Sequence, residues 1–194
     1  MTPAFSICVY CGSRPGASAE YGAAAATVGR WIGEHHGQLV YGGGARGLMG
    51  ALAGAALAAG ARVVGIIPQA LIDKEQAQLA CSELHVVGTM HERKRLMAER
   101  SDAFLALPGG IGTFEEFFEA WTWRQLGYHD KPVGLLNIGG YYDRLIDFLS
   151  VSVHQQFMDP WQMTLIREDN DPAALLRDLI QSAGLSPQPR LDAM

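Results

Sequence analysis

Short apolar runs alternate with longer segments of helical periodicity along the chain, and no other feature of the sequence restricts its fold more. The runs predicted as strands are Phe5–Tyr10, Gln38–Tyr41, Arg62–Ile67, Leu84–Val87, Ala103–Leu107, Val133–Asn137 and Met163–Ile166. The segments predicted as helices are Glu20–His36, Gly47–Ala59, Met90–Arg100, Phe114–Leu126, Tyr142–Gln156 and Pro172–Ala183. Because nearly all-apolar strands are buried on both faces, the pattern predicts a doubly wound parallel sheet of about seven strands, with helices on both faces.

The size of the chain predicts one domain. Its 194 residues can form a single substantial core and would be cramped as two domains. The sequence shows no internal repeat and no interdomain linker. We therefore predict one α/β domain over residues 1–185 and a flexible C-terminal tail over 186–194, where Pro187 and Pro189 stand.

The composition excludes several classes of protein. Hydrophobic residues make up 48% of the chain and charged residues 18%, which is typical of a globular protein. The net charge of −5 argues against a nucleic-acid-binding or membrane-binding surface, so an anionic ligand would need local donors. The longest uncharged stretch, 47–61, is too short and too weakly apolar to span a bilayer. Three cysteines fit a reducing compartment better than a disulfide framework, so we predict a cytoplasmic protein.

Three glycine-containing loops each follow a predicted strand. They are Cys11–Ser13, Gly42–Gly44 and Pro108–Thr113. In doubly wound sheets, ligands bind beyond the carboxyl ends of the strands. We therefore expect the three loops to share one binding site.

The segment Pro108–Glu116 is the strongest local signal for a ligand. Its glycines let backbone N–H groups approach an anion, and the helix that follows adds N–H donors and a positive dipole end. Thr113 can donate its hydroxyl to a phosphate oxygen. The loop lacks the Lys-Ser/Thr ending of a triphosphate-binding loop, so a monophosphate suits it better.

Glu116 has two interpretations. Thr113 to Glu116 reads T-x-x-E, a capping box in which the glutamate bonds back to the Thr113 amide. The neighbouring anion site favours a catalytic carboxylate instead. Glu115 and Glu119 share one helix face and Glu116 points roughly 100° away from Glu115, so the three acids cannot all serve one site.

Gly42–Gly47 matches the dinucleotide fingerprint G-x-G-x-x-G after a predicted strand. A classical dinucleotide site also needs an acidic residue near the end of the next strand, and Arg62–Pro68 contains none. NAD binding is therefore disfavoured. The three consecutive glycines indicate close approach of the backbone to a ligand, with a tight turn as the simpler alternative.

Three consecutive basic residues, 93–95, stand early in a helix that a T-x-x-E cap at Thr89 opens. Basic residues there oppose the helix dipole unless an anion is near. They either meet such an anion or form a solvated face paired with Glu92 and Glu99, and this segment alone leaves both interpretations open.

Two further features carry less functional weight. Cys8 and Cys11 form a C-x-x-C without a second pair, and the six histidines show no metal-ligand spacing, so buried thiols and no metal site are expected. The helix at Phe114–Leu126 has aromatic side chains on more than one face, which suggests a subunit interface or a well-buried helix.

Taken together, these motifs resemble a known family. Pro108–Glu116 reads P-G-G-x-G-T-x-x-E, with Met90–Lys94 upstream and Trp123–Pro132 downstream. The set is similar to the Lonely Guy (LOG) family of cytokinin riboside 5′-monophosphate phosphoribohydrolases, over about Ser6 to Gln156. The set is specific, whereas no single loop would be.

The resemblance implies a Rossmann-like fold, a homodimer or higher homo-oligomer, and no metal or organic cofactor. It also implies hydrolysis of a purine nucleoside 5′-monophosphate, AMP or its N6-prenylated form, to free base and ribose 5-phosphate. By the same resemblance, Arg93 and Glu116 match the catalytic pair. The substrate-binding candidates are Gly12, Ser13, Gly43, Gly44, Met90, Lys94, Pro108, Gly109, Gly110, Gly112, Thr113 and Glu115.

Other functions remain open at this point. A non-catalytic nucleotide carrier or sensor could use the same fold and loops. Members of this family are often labelled lysine decarboxylases, but none of the three lysines, Lys74, Lys94 and Lys131, lies in a recognisable pyridoxal-phosphate setting.

Overall fold

A computed structural model describes residues 2–72 and 76–186, so Lys74 and positions 187–194 of the predicted tail lie outside the described residues. The strands are β1 (Ser6–Tyr10), β2 (Gln38–Tyr41), β3 (Arg62–Pro68), β4 (Glu83–Val87), β5 (Ala103–Ala106), β6 (Val133–Leu136) and β7 (Ile166–Asp169). The helices are α1 (Ala19–Glu34), α2 (Gly47–Ala58), α3 (Met90–Glu99), α4 (Ile111–Gln125), α5 (Asp143–His154), α6 (Pro160–Met163) and α7 (Pro172–Ser182).

The strands form one seven-stranded sheet in the order β4-β3-β2-β1-β5-β6-β7. Every neighbouring pair runs parallel, which confirms the predicted fold class. The chain moves outward from β1 to β4 and then returns to place β5 on the other side of β1. The connections after β1 and β5 therefore lead away in opposite directions, which makes the gap between these two strands a topological switch point. Sheets of this class bind ligands at such a point.

Helices cover both faces of the sheet because successive strand residues point in opposite directions. In β1, Ile7 and Val9 join the core beneath α1, α2 and α7. Cys8 and Tyr10 join the second core, beneath α3, α4 and α5. Both faces of the central strands are thus buried, which explains why these strands read as uninterrupted apolar runs.

The last strand was wrongly placed from the sequence at Met163–Ile166. Met163 instead ends α6, which begins at Pro160 behind a reciprocal capping box between Asp159 and Gln162. The observed strand, Ile166–Asp169, is polar and only partly buried because it lies at the edge of the sheet. An apolar-run criterion misses such a strand.

Helices α1 and α2 approach so closely that their contact requires glycine. A Cβ atom at Gly29 would lie 2.2 Å from the Leu52 carbonyl oxygen, and one at Gly33 would lie 2.6 Å from the Ala59 carbonyl oxygen. This packing fixes α2, whose first turn faces the loop after β1: a Cβ atom at Gly47 would lie 2.5 Å from the Arg14 nitrogen.

The helix contact predicts a large loss of stability in Gly29→Ala. The new methyl group would force α1 and α2 apart, so the free energy of unfolding should fall by about 1–3 kcal/mol. Gly22→Ala, on the same helix, is the matched control because its Cβ atom would meet nothing within 4 Å. It should leave stability unchanged or raise it by up to about 1 kcal/mol. Urea unfolding measures both, and equal stability of the two variants would contradict the close contact.

Candidate active site

A cavity of about 550 Å³ opens at the switch point between β1 and β5. Its walls come from the loops after β1, β2 and β5 and from the first turns of α2, α3 and α4. The glycine loops predicted to share a site therefore do contribute to one cavity.

The loops after β1 and β5 are joined directly. The Gly12 amide donates to the Pro108 carbonyl over 3.1 Å, and the Gly12 carbonyl accepts from the Leu48 amide over 3.0 Å. Gly109 packs just as closely, because a Cβ atom there would lie 2.1 Å from the Thr113 hydroxyl oxygen and 3.0 Å from the Gly12 nitrogen. Only a residue without a side chain fits between these groups.

Helix α4 begins at the cavity. Its N-cap is Gly110, which provides no side-chain cap, and Ile111, Gly112 and Thr113 line the cavity. The N–H groups of a first helical turn have no partner within the helix and lie at the positive end of its dipole. This wall therefore has the donors and the charge sign that a phosphate needs.

The capping-box interpretation of Thr113 and Glu116 is wrong. The helix begins at Ile111, earlier than predicted, so Thr113 is its third residue and not its N-cap. Glycine is itself an accepted N-cap, and Gly110 takes that position. Without the capping role, Glu116 is one of the residues that line the cavity.

Glu116 lies close to the end of β1. Burial raises the pKa of the Cys11 thiol, and the negative charge of Glu116 raises it further. The same two causes, together with Cys8, raise the pKa of the Tyr10 hydroxyl. Cys11 and Tyr10 line the same cavity as Glu116.

Arg93 lines the cavity, as does a second basic residue, Arg14. Thr89 caps α3 by accepting a 3.1 Å hydrogen bond from the Glu92 amide, as predicted. One turn into the helix, Arg93 is only 5% exposed. Its Nε donates to the Ile66 carbonyl over 3.1 Å and its Nη2 to the Gly42 carbonyl over 2.9 Å, so the guanidinium has a fixed orientation.

Lys94 lies outside the cavity. Its ammonium donates to Glu115 and, over 2.9 Å, to Glu119. Burial lowers the pKa of Lys94, but the two carboxylates outweigh it, and the pKa lies above the ordinary value. Arg95 is exposed and lies 3.3 Å from Glu99. Arg95 thus fits the solvated face and Arg93 lies in the cavity, whereas Lys94 is buried against two carboxylates of α4, which neither interpretation predicted.

Of the remaining substrate-binding candidates, some line the cavity and others do not. Gly43 and Gly44 do not line the cavity: Gly43, at φ +77°, packs against β3, and Gly44 pairs with Ala77 in an isolated antiparallel bridge. The candidates that line it are Gly12, Ser13, Met90, Arg93, Pro108, Gly109, Gly110, Gly112, Thr113, Glu115 and Glu116. The roles of all of these residues in binding or catalysis stay predictions.

Sequence reasoning missed several residues of the cavity, among them Arg14, Tyr21 and Tyr141. Arg14 adjoins the first glycine loop and could have been found by its charge beside Ser13. Tyr21 belongs to α1 and Tyr141 follows β6, and their rings meet edge to face at 5.7 Å. No motif spacing links positions so far apart in the chain.

Other chemistry has little support at this site. No lysine of the described residues lines the cavity, and the Lys131 ammonium donates to the Ala98 carbonyl over 2.6 Å. Within residues 2–72 and 76–186, no group of three or more His, Cys, Asp or Glu side chains could hold a metal ion. The same residues contain no helix that is long and apolar enough to cross a membrane.

The fold and the cavity define a Rossmann-type α/β protein with a cavity at its switch point, where proteins of this fold bind ligands. A family model described as "Possible lysine decarboxylase" matches residues 49–179. The chain is 47% identical over 160 residues to cytokinin riboside 5′-monophosphate phosphoribohydrolase LOG3 of Arabidopsis thaliana, covering 82% of this chain and 74% of the relative. The chain therefore belongs to the family that this model describes, which it shares with the cytokinin riboside 5′-monophosphate phosphoribohydrolases.

Two further comparisons concern the family and the fold, respectively. Probable cytokinin riboside 5′-monophosphate phosphoribohydrolase LOGL5 of Oryza sativa subsp. japonica is 49% identical over 154 residues, which cover 79% of this chain and 63% of the relative. This chain therefore matches less than two thirds of that protein's length. The Moco carrier protein of Chlamydomonas reinhardtii has the same fold, with a TM-score of 0.69 at 21% identity over 95% of this chain and 99% of that one.

The position of Lys94 predicts a pH-dependent loss of stability in Lys94→Met. The variant leaves Glu115 and Glu119 side by side without a counter-charge, so the free energy of unfolding should fall by about 1–3 kcal/mol at pH 8. Because the folded pKa of Lys94 is raised, its stabilisation is complete below the ordinary value of 10.5 and disappears as the pH rises through the folded pKa.

Urea unfolding of wild type and Lys94→Met between pH 8 and pH 12, a range that extends well above the ordinary pKa of 10.5, measures this dependence. Arg95→Met is the control, because the exposed pair with Glu99 should contribute less than about 1 kcal/mol. A deficit in Lys94→Met that stays constant across this pH range would contradict the ion-pair explanation.

Proposed function

We propose that this protein hydrolyses the N-glycosidic bond of a purine nucleoside 5′-monophosphate, releasing the free base and ribose 5-phosphate. The substrate is AMP, its N6-prenylated form, or both. The relatives named as cytokinin riboside 5′-monophosphate phosphoribohydrolases support this activity at 47–49% identity. The single observation that carries the proposal is that Glu116 and Arg93 line the same cavity as the start of α4, whose N-cap residue provides no side-chain hydrogen bond.

The geometry of α4 supports a position for each end of such a substrate. A phosphate at the first turn, over Ile111 to Thr113, is stabilised by N–H donors and the helix dipole. Glu116 lies five residues beyond Ile111 on the same helix, about 7.5 Å along the axis. A ribose can bridge this distance, so binding the phosphate brings the sugar to the carboxylate and fixes its orientation.

The chemistry needs a carboxylate near the sugar. As the bond from C1′ to the base breaks, positive charge develops on the ribose ring, and the anionic Glu116 stabilises it. A water molecule attacks C1′ and loses a proton, and the carboxylate is positioned to orient this water. The base leaves with the bonding electron pair and takes up a proton. Ribose 5-phosphate keeps the oxygen of the water.

The family description as a possible lysine decarboxylase fits this chain poorly. Pyridoxal-phosphate enzymes hold their cofactor as a Schiff base with a lysine. Lys94 is paired with Glu115 and Glu119, and Lys131 donates to a backbone carbonyl. Among residues 2–72 and 76–186, where Lys94 and Lys131 lie, no lysine lines the cavity, whereas a phosphoribohydrolase needs no lysine there.

We also propose a homodimer or a higher homo-oligomer with an interface near Phe114–Leu126, and a cytoplasmic location. Phe114, Phe118 and Trp123 are only partly buried on α4, and Leu126 is 61% exposed. Apolar side chains left exposed in this way favour a protein–protein interface. The free thiols of Cys8, Cys11 and Cys81 support a reducing compartment.

The catalytic assignment predicts that Glu116→Gln abolishes turnover. Purified wild type should release free base from AMP or N6-isopentenyl-AMP, which chromatography separates from the nucleotide. Glutamine keeps the shape of the side chain and removes its charge, so the rate should fall at least about 100-fold while AMP still binds. The faster of the two substrates identifies the preferred base.

Glu99→Gln is the matched control, since Glu99 is exposed on α3 and pairs only with a surface arginine. It should release base at the wild-type rate. If wild type binds AMP without releasing adenine, the protein is a nucleotide carrier or sensor. If Glu116→Gln turns over as fast as wild type, another group performs the catalysis.

The interface assignment predicts a particle of at least two 21.0-kDa chains by light scattering. Leu126→Arg buries an unpaired charge at the proposed interface and should lower the mass toward that of one chain. Val151→Arg, on the exposed side of α5, is the control and should leave the mass unchanged. A monomeric wild type would contradict the proposal.

A further inference from the structure

Three successive carbonyl groups just before α4 each accept a hydrogen bond. The Leu107 carbonyl accepts from the Tyr142 hydroxyl over 2.6 Å. The Pro108 carbonyl accepts from the Gly12 amide over 3.1 Å. The Gly109 carbonyl accepts from the Tyr141 hydroxyl. Two consecutive tyrosines thus hold the backbone on either side of Pro108.

The tyrosines come from a segment whose own conformation is well determined. It follows β6 and turns through Gly139 and Gly140, at φ +61° and +70°, where residues with side chains would be strained. The Asn137 side chain accepts from the Tyr142 amide over 2.8 Å and donates to Asp143 over 2.7 Å. These contacts present both hydroxyl groups to the glycine loop.

The two tyrosines differ in burial. Tyr142 is 1% exposed and packs in the core, so its removal would mix folding with binding. Tyr141 is 38% exposed, lines the cavity and meets the rings of Tyr21 and Tyr142 edge to face. Its hydroxyl can therefore be removed while its ring stays packed.

The hydrogen bond from the Tyr141 hydroxyl determines the direction in which the Gly110 amide points. In a trans peptide the C=O and the N–H point in opposite directions. Orienting the Gly109 carbonyl toward Tyr141 consequently orients the Gly110 N–H away from it. Gly110 would otherwise leave this peptide free to rotate, because a Cβ atom there would meet nothing within 4 Å and glycine has the greatest backbone freedom.

We propose that Tyr141 is a positioning residue for phosphate binding: its hydroxyl orders the Gly109–Gly110 peptide before the ligand arrives. The inference rests on the proposed function, in which the phosphate binds at the start of α4. Ordering the loop in advance lowers the entropic cost of binding the phosphate. The effect is confined to ligands that carry the phosphate, and Tyr141 acts on them through Gly109.

Tyr141→Phe tests this role because it removes only the hydroxyl. Calorimetry should show the Kd for AMP and for ribose 5-phosphate rising about fivefold, the effect of one lost hydrogen bond. The Kd for adenosine, which lacks the phosphate, should stay within twofold of wild type, as should kcat for AMP, so that KM alone rises. Tyr128→Phe, at a side chain 76% exposed outside the cavity, should change none of these values.

Two results would overturn the inference: an unchanged Kd for AMP and ribose 5-phosphate, or an equal loss for adenosine, which would indicate general damage to the cavity. A wild type that binds neither phosphorylated ligand would overturn both this inference and the proposed function. Because the affinities need no turnover, the two are separable. A wild type that binds AMP without releasing adenine contradicts the hydrolase alone, and a fivefold loss in Tyr141→Phe would still support the role of Tyr141.

Discussion

The contact between the loops after β1 and β5 supports every other feature of the site. The Gly12 amide and the Pro108 carbonyl lie 3.1 Å apart, and a side chain at Gly109 would collide with both Gly12 and Thr113. This contact closes the switch point of the sheet and sets where α4 begins. The start of α4 then determines which of its residues face the cavity. Gly109, the first glycine of the P-G-G-x-G-T sequence, is thus needed for the packing of the protein against itself, whereas a Cβ atom at Gly110 or Gly112 would meet nothing within 4 Å.

The electrostatics of the site are local. A chain with a net charge of −5 has no general attraction for a phosphate, so the proposed phosphate site depends on local positive groups. Those at the cavity are the positive end of α4 and the side chains of Arg14 and Arg93. Nearby, Lys94 neutralises Glu115 and Glu119. The three acids of α4 therefore differ in their surroundings. Lys94 binds Glu115 and Glu119, whereas Glu116 lies on another face of the helix.

Periodicity predicted most of the fold because the central strands are buried on both sides and the helices on one. It failed at β7, where the edge position allows a polar strand, and at the start of α4, where Gly110 acts as the N-cap. The loops of the cavity could be predicted from their shared position at strand ends. Lys94 and Tyr141 could not, because their surroundings depend on contacts between distant segments.

The central claim is that a phosphate at the start of α4 brings the ribose to residue 116. A crystal structure of Glu116→Gln with AMP tests it most directly, since the inactive variant keeps the nucleotide intact. We expect phosphate oxygens within hydrogen-bond distance of the amides of Ile111 to Thr113, with C1′ beside the Gln side chain that replaces Glu116. A phosphate bound elsewhere, or a ribose directed away from residue 116, would contradict it.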